Sequence, residues 1–126
     1  MAFYVVGEEQ LDWEPYERYP GRDRATLTEH AGLRHTRANF IRHASGSKGP
    51  RHIEPVQDET FVPVHGTLTM YLGEPPERHE TPVGGLIHVE AGTAQQIVNE
   101  TDEELLVFVF GAPPERGPAN VIESAV

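Results

Sequence analysis

The clearest pattern in the chain is a period of two. After Gly66, Leu68, Met70 and Leu72 alternate with Thr67, Thr69 and Tyr71, which puts the two sets on opposite faces of a strand. Another β-prone run, 59–65, precedes it, and one glycine between two such runs predicts a hairpin turn at Gly66. Residues 36–42 alternate in the same way, with Ala38 and Phe40 sharing a face. Shorter β-prone runs lie at 3–6, 24–27, 52–54, 86–89 and 95–99. The run 105–110 is apolar throughout, as expected of a strand lying between two layers. Pro75, Pro76 and Pro82 predict a loop over 73–82, and the proline-rich 112–118 reads as irregular tail. Eight or nine strands result, and no stretch of ten residues carries a helical stripe.

Composition agrees with this picture. A chain of 126 residues suits one domain, and 12 glycines with 11 prolines imply many turns and short elements, hence an all-β architecture. We divide it into an N-terminal arm with strands (1–34), a barrel (35–112) and a C-terminal tail (113–126), all within one domain. The absence of cysteine excludes disulfides, thiolate metal sites and cysteine nucleophiles. A formal net charge of −10 argues against nucleic acid and anionic membranes as partners, because phosphate affinity comes from clustered cations. The acidity is concentrated in the second half, where 64–126 carries −8 against −2 for 1–63, and this reads as a solvated surface. No apolar run approaches the ~20 residues that span a bilayer. No cationic leader opens the chain, so the expectation is a soluble, cytoplasmic protein.

Two clusters carry candidate chemistry. The first is Gly46-x5-His52-x-Glu54-x4-Glu59-x6-Gly66, in which His52 and Glu54 are two apart and so face the same way on a strand. The second is Gly84-x5-Glu90-x-Gly92-x2-Gln95-x3-Asn99, a strand, a tight turn and a returning strand. There is no glycine-rich phosphate loop and no G-x-S-x-G elbow, and the serines have no base–acid partners, so nucleophilic catalysis is not expected.

Together these clusters resemble the two motifs of the cupin superfamily, G-x5-H-x-H-x(3,4)-E-x6-G and G-x5-P-x-G-x2-H-x3-N. Seven of the ten fixed positions match: Gly46, His52, Glu59, Gly66, Gly84, Gly92 and Asn99. The resemblance implies a double-stranded β-helix, or jelly-roll, barrel of two antiparallel sheets. It also implies a homodimer formed through an outer sheet face and the N-terminal strands, where Phe3, Tyr4, Trp13, Tyr16 and Tyr19 offer contact area. In metal-bearing cupins three imidazoles and one carboxylate hold a divalent ion. Carried over, those positions are His52, Glu54, Glu59 and Gln95, with Glu54 and Gln95 in place of histidines and Glu90 in place of the motif's proline.

Such a set is rich in oxygen. Two carboxylates neutralise a dication and weaken it as a Lewis acid, and the balance shifts from zinc or iron toward manganese or magnesium. The expected cofactor is therefore either none or one divalent ion (Mn, Fe, Zn or Mg), with two of three imidazoles missing favouring a decayed site. Without metal, Glu54 and Glu59 side by side would share a proton and become candidate acid–base groups. Phe61, Met70 and Phe108 are candidates for lining a ligand pocket. His65 shares the parity of Glu59, Phe61 and Pro63, which points it inward as a core histidine; His88 points outward, His43 is a remote candidate for the mouth, and His30, His35 and His79 are solvated. Two functional readings stand. One is a small-molecule-binding cupin with a degenerate metal site, and the other is a metal-dependent dioxygenase, isomerase or lyase using the altered ligands.

Overall fold

The computed structural model describes residues 2–115 and 117–126. Eleven strands follow one another after a single 3-10 turn at Glu8–Gln10. They are β1 (Glu14–Pro15), β2 (Arg22–Thr26), β3 (Arg37–His43), β4 (Arg51–Ile53), β5 (Asp58–His65) and β6 (Leu68–Leu72). After these come β7 (Glu77–Thr81), β8 (Ile87–Val89), β9 (Ala94–Ile97), β10 (Leu105–Ala112) and β11 (Asn120–Ile122). One sheet has the order β1-β2-β3-β10-β5-β8 and the other β11-β4-β9-β6-β7, and every named pairing is antiparallel. Among the described residues no helix is long and apolar enough to cross a membrane.

The core lies between the sheets. Ile41, Phe61, Val89, Leu105, Val107 and Val109 from the first sheet meet Leu68, Met70 and Ile97 from the second, all of them buried. The apolar run of β10 serves two layers, as its composition requires. Leu105, Val107 and Val109 point into the core, while Phe108 and Phe110 pack as tilted rings on the outer face, where Phe40 joins them.

Four sequence expectations are corrected by pairing. Gly66 does not close a hairpin, because β5 pairs with β10 and β8 in one sheet while β6 pairs with β9 and β7 in the other. Gly66 instead carries the chain between sheets with φ +81°, and a Cβ there would lie 2.6 Å from the Glu104 carbonyl oxygen, so only glycine fits. The 73–82 loop contains strand β7, which its prolines permit because they flank Glu77–Thr81 rather than interrupt it. Its charged sequence suits a sheet edge. Residues 3–6 are not a strand; beyond the proline-rich segment, β11 pairs with β4.

The fourth correction concerns His65. Between Leu106 and Val107 the β10–β5 register slips, pairing Val107 with Pro63 but Leu106 with His65. One residue on β10 is matched by two on β5, a bulge that inverts the side-chain alternation beyond it. Pro63 therefore remains buried and His65 is exposed, outside the core it was expected to enter.

Candidate functional site

His52 is on β4 and Gln95 directly opposite it on β9, so both side chains emerge on the inner face of the second sheet. Glu54 follows β4, and its carbonyl accepts a 2.8 Å hydrogen bond from the Gly92 amide, which ties together the turns of the two motifs. Glu59 lies near the start of β5 on the opposing sheet. The ligating atoms of His52, Glu54 and Glu59 all fall within 4.8 Å of one another. Gln95 joins them by donating from Nε2 to Glu59 Oε1 at 3.0 Å.

The proton inventory of this cluster is informative. His52 Nδ1 lies 3.2 Å from the Pro50 carbonyl, which only accepts, so Nδ1 carries a hydrogen. His52 Nε2 then faces Glu54 Oε2 at 3.2 Å. In a neutral imidazole with Nδ1–H, Nε2 is itself an acceptor, so the contact requires a proton between the two atoms or a cation that binds both. Glu54 is only 1% exposed, so bulk water does not relieve the contact. The donor set of one oriented imidazole and two carboxylates fits a divalent cation, and Pro50 supplies the outer hydrogen bond that fixes a ligating histidine's tautomer.

The cluster opens into a cavity of about 190 Å³ between the sheets. Ile41, Phe61, Met70, Ile97 and Val109 give it apolar walls, and Ala119 and Val121 from the C-terminal segment contribute at its rim. Of the pocket candidates, Phe61 and Met70 line this cavity. Phe108 does not; strand alternation turns it to the outer face of β10, against Phe40 and Phe110.

Sequence reasoning missed the β2–β3 wall. Arg22, Arg24, Arg37, Asn39 and Ile41 line the cavity. The alternation of β3 was visible in the sequence, but its apolar Ala38 and Phe40 face outward beneath the N-terminal arm. Its polar positions face in. The available signal was the pair of arginines two apart at 22 and 24, followed by Arg37 and Asn39 two apart, each pair on one face of a strand.

Arg22 is buried and held in place. Its guanidinium carbon sits 4.3 Å from the Tyr16 ring centroid and 5.7 Å from that of Tyr19, and Nε donates to His43 Nδ1 at 3.3 Å. His43 is fully buried behind it rather than at the mouth, and burial followed by the charge of Arg22 pushes its pKa down to about 3. His88 faces outward as expected, with Nδ1 2.8 Å from Thr60 Oγ1, and His30, His35 and His79 are exposed.

No protein-family model matches the sequence, and no curated protein matches it. Solved structures do. A polyketide cyclase from Streptomyces resistomycificus superposes with TM-score 0.84 at 14% identity, covering 96% of this chain and 86% of its own. A sugar phosphate isomerase of the cupin superfamily from Silicibacter pomeroyi gives TM-score 0.76 at 24% identity, covering 87% of this chain and 76% of its own. A cupin-2 domain from Rhodospirillum rubrum gives TM-score 0.78 at 13% identity, covering 98% and 82%. The chain has the cupin fold, a barrel of two antiparallel sheets. At these identities the likeness is one of architecture, and chemistry has to be argued from the cavity itself.

Proposed function

We propose that this protein binds a small polar molecule in the barrel cavity, with His52, Glu54, Glu59 and Gln95 forming the polar end of the site. The observation that supports this reading most is that three of the seven buried polar atoms without a hydrogen-bond partner among the described residues, Gln95 Oε1, Asn39 Oδ1 and Arg24 Nε, belong to residues lining one cavity. Leaving a buried polar atom unpaired costs about 1–3 kcal/mol, and a ligand that supplies the missing partners recovers it. In this reading Glu54 and His52 hold a proton between them and Glu59 takes the Gln95 amide, so a bound molecule meets both an acid and a base. Glu54 and Glu59 are the candidate acid–base residues if turnover occurs.

A second reading, a metal-dependent enzyme using the altered ligand set, is favoured by the fixed tautomer of His52, whose Nε2 lone pair is directed at Glu54. A divalent ion held by His52, Glu54, Glu59 and the Gln95 oxygen would polarise an oxygen of the bound molecule. Elemental analysis and calorimetric titration with manganese separate the two. Stoichiometric metal, lost in His52→Ala, establishes the second reading; its absence in chelator-free protein with retained small-molecule binding establishes the first. The homodimer is part of the same proposal. Phe110 (36% exposed) and the more exposed Phe3 and Val5 lie on or beside the outer face, and light scattering at tens of micromolar tests the pairing.

A further inference from the structure

The cavity has two chemically different ends. Opposite the acidic cluster stands the β2–β3 wall, where three of the chain's nine arginines (Arg22, Arg24 and Arg37) line one small space in a protein of net charge −10. With Glu54 and Glu59 on the other side, arginines outnumber carboxylates in the lining by three to two. Arg22 is engaged by His43 and the two tyrosines. Arg24 is held over Tyr16, 5.2 Å from its ring centroid, and its buried Nε–H has no acceptor among the described residues. On the neighbouring strand, Arg24 pairs with Ile41 and Asn39 lies two residues along on the same face, with a buried Oδ1 that has no donor. Across the cavity, Gln95, 2% exposed, donates once from Nε2 to Glu59 and leaves Oε1 without a donor among the described residues. One donor on a cation and two neutral acceptors thus belong to residues that line one cavity.

We propose that this wall recognises a small hydroxy-carboxylate, with Arg24 holding the carboxylate and Asn39 Oδ1 and Gln95 Oε1 accepting from its hydroxyls. The inference rests on the reading of the cavity as a small-molecule site and specifies its ligand. Arg37 adds positive field on the same wall; Glu59 lies in register with it across Gly111. The volume of about 190 Å³ has room for a molecule of the size of glycerate.

The test is calorimetric titration of the full chain with sodium glycerate, lactate, glycerol and glycerol 3-phosphate. Glycerate should bind more tightly than glycerol 3-phosphate, lactate should bind several-fold more weakly than glycerate for want of one hydroxyl, and glycerol should give no saturable heat. Arg24→Gln should weaken glycerate about tenfold to a hundredfold, the range expected for a charged hydrogen bond. Asn39→Asp, which sets a competing carboxylate beside Arg24, should weaken it comparably and serves if Arg24→Gln does not fold. Glycerol binding as tightly as glycerate, or glycerol 3-phosphate binding more tightly, overturns the carboxylate assignment and leaves the cavity a small-molecule site. Manganese binding without any glycerate binding overturns it and leaves the acidic cluster a cation site. Heat from none of the probes, manganese included, removes the parent reading as well.

Discussion

Two buried amides, four residues apart along one stretch of chain, meet opposite fates. Asn99 Nδ2 donates to the carbonyls of His43, Ala44 and Glu103 at 3.1, 3.2 and 2.7 Å, and its Oδ1 accepts from the Thr101 amide and hydroxyl at 3.1 and 2.7 Å. Gln95 makes one bond, to Glu59, and leaves its oxygen bare. Both are almost fully buried. The difference separates a closed end of the barrel, where loops of the protein itself satisfy the Asn99 amide, from an open interior, where the Gln95 oxygen has no donor among the described residues. Satisfied buried amides stabilise a structure, and unsatisfied ones mark where something else is meant to sit.

Mutagenesis can break this contrast at either end. The largest effect should come from Asn99→Ala, which removes a donor from three carbonyls and the acceptor of the Thr101 amide; we expect a loss of about 3–5 kcal/mol in urea unfolding. A loss under about 1 kcal/mol would erase the distinction between the two amides.

The closed end should also be acid-labile through His43. Its folded pKa of about 3 lies below the ordinary 6.5, so between those values the unfolded chain takes up a proton that the folded chain refuses. Stability from this group is complete above pH 6.5 and falls as pH drops toward 3, by about 1.4 kcal/mol per pH unit. Urea melts at pH 7 and pH 4.5 should therefore diverge less in His43→Gln than in the parent, and equal divergence would contradict the assignment.

Gln95→Leu should cost under about 1 kcal/mol, because it removes an unpaired oxygen along with one hydrogen bond. The same substitution should weaken binding of glycerate, and of manganese if it binds. Phe108→Leu sits at the bottom of the scale. It should leave affinity for any cavity ligand unchanged within twofold, since the ring packs outside the barrel.

The sequence was most readable where periodicity and spacing are enforced by the backbone. The alternation at 67–72 and the fixed distances from Gly46 to Gly66 and from Gly84 to Asn99 led to the fold and to His52, Glu54, Glu59 and Gln95. What stayed hidden depended on pairing partners far along the chain. The bulge opposite Leu106 and Val107, which turns His65 out, exists only once β10 lies beside β5. The inward face of β3 was obscured because barrel strands with a polar cavity on one side and an apolar arm on the other invert the usual assumption that apolar means inside. Strand β11 is three residues held by β4 and by loop contacts such as Gln96 Oε1 with the Ala125 amide at 2.9 Å, too short a run for any local pattern to announce.

That short terminal strand has a thermodynamic corollary. Ala119 and Val121 border the cavity, yet their segment lies at the sheet margin, where β4 is the one strand that β11 pairs with among the described residues. Marginal strands detach more readily than central ones, and an occupant touching Val121 is bound only while the strand is docked. Occupancy and fraying are therefore opposite sides of one equilibrium. Slowed amide exchange at residues 120–122 would report a filled barrel without any label on the guest.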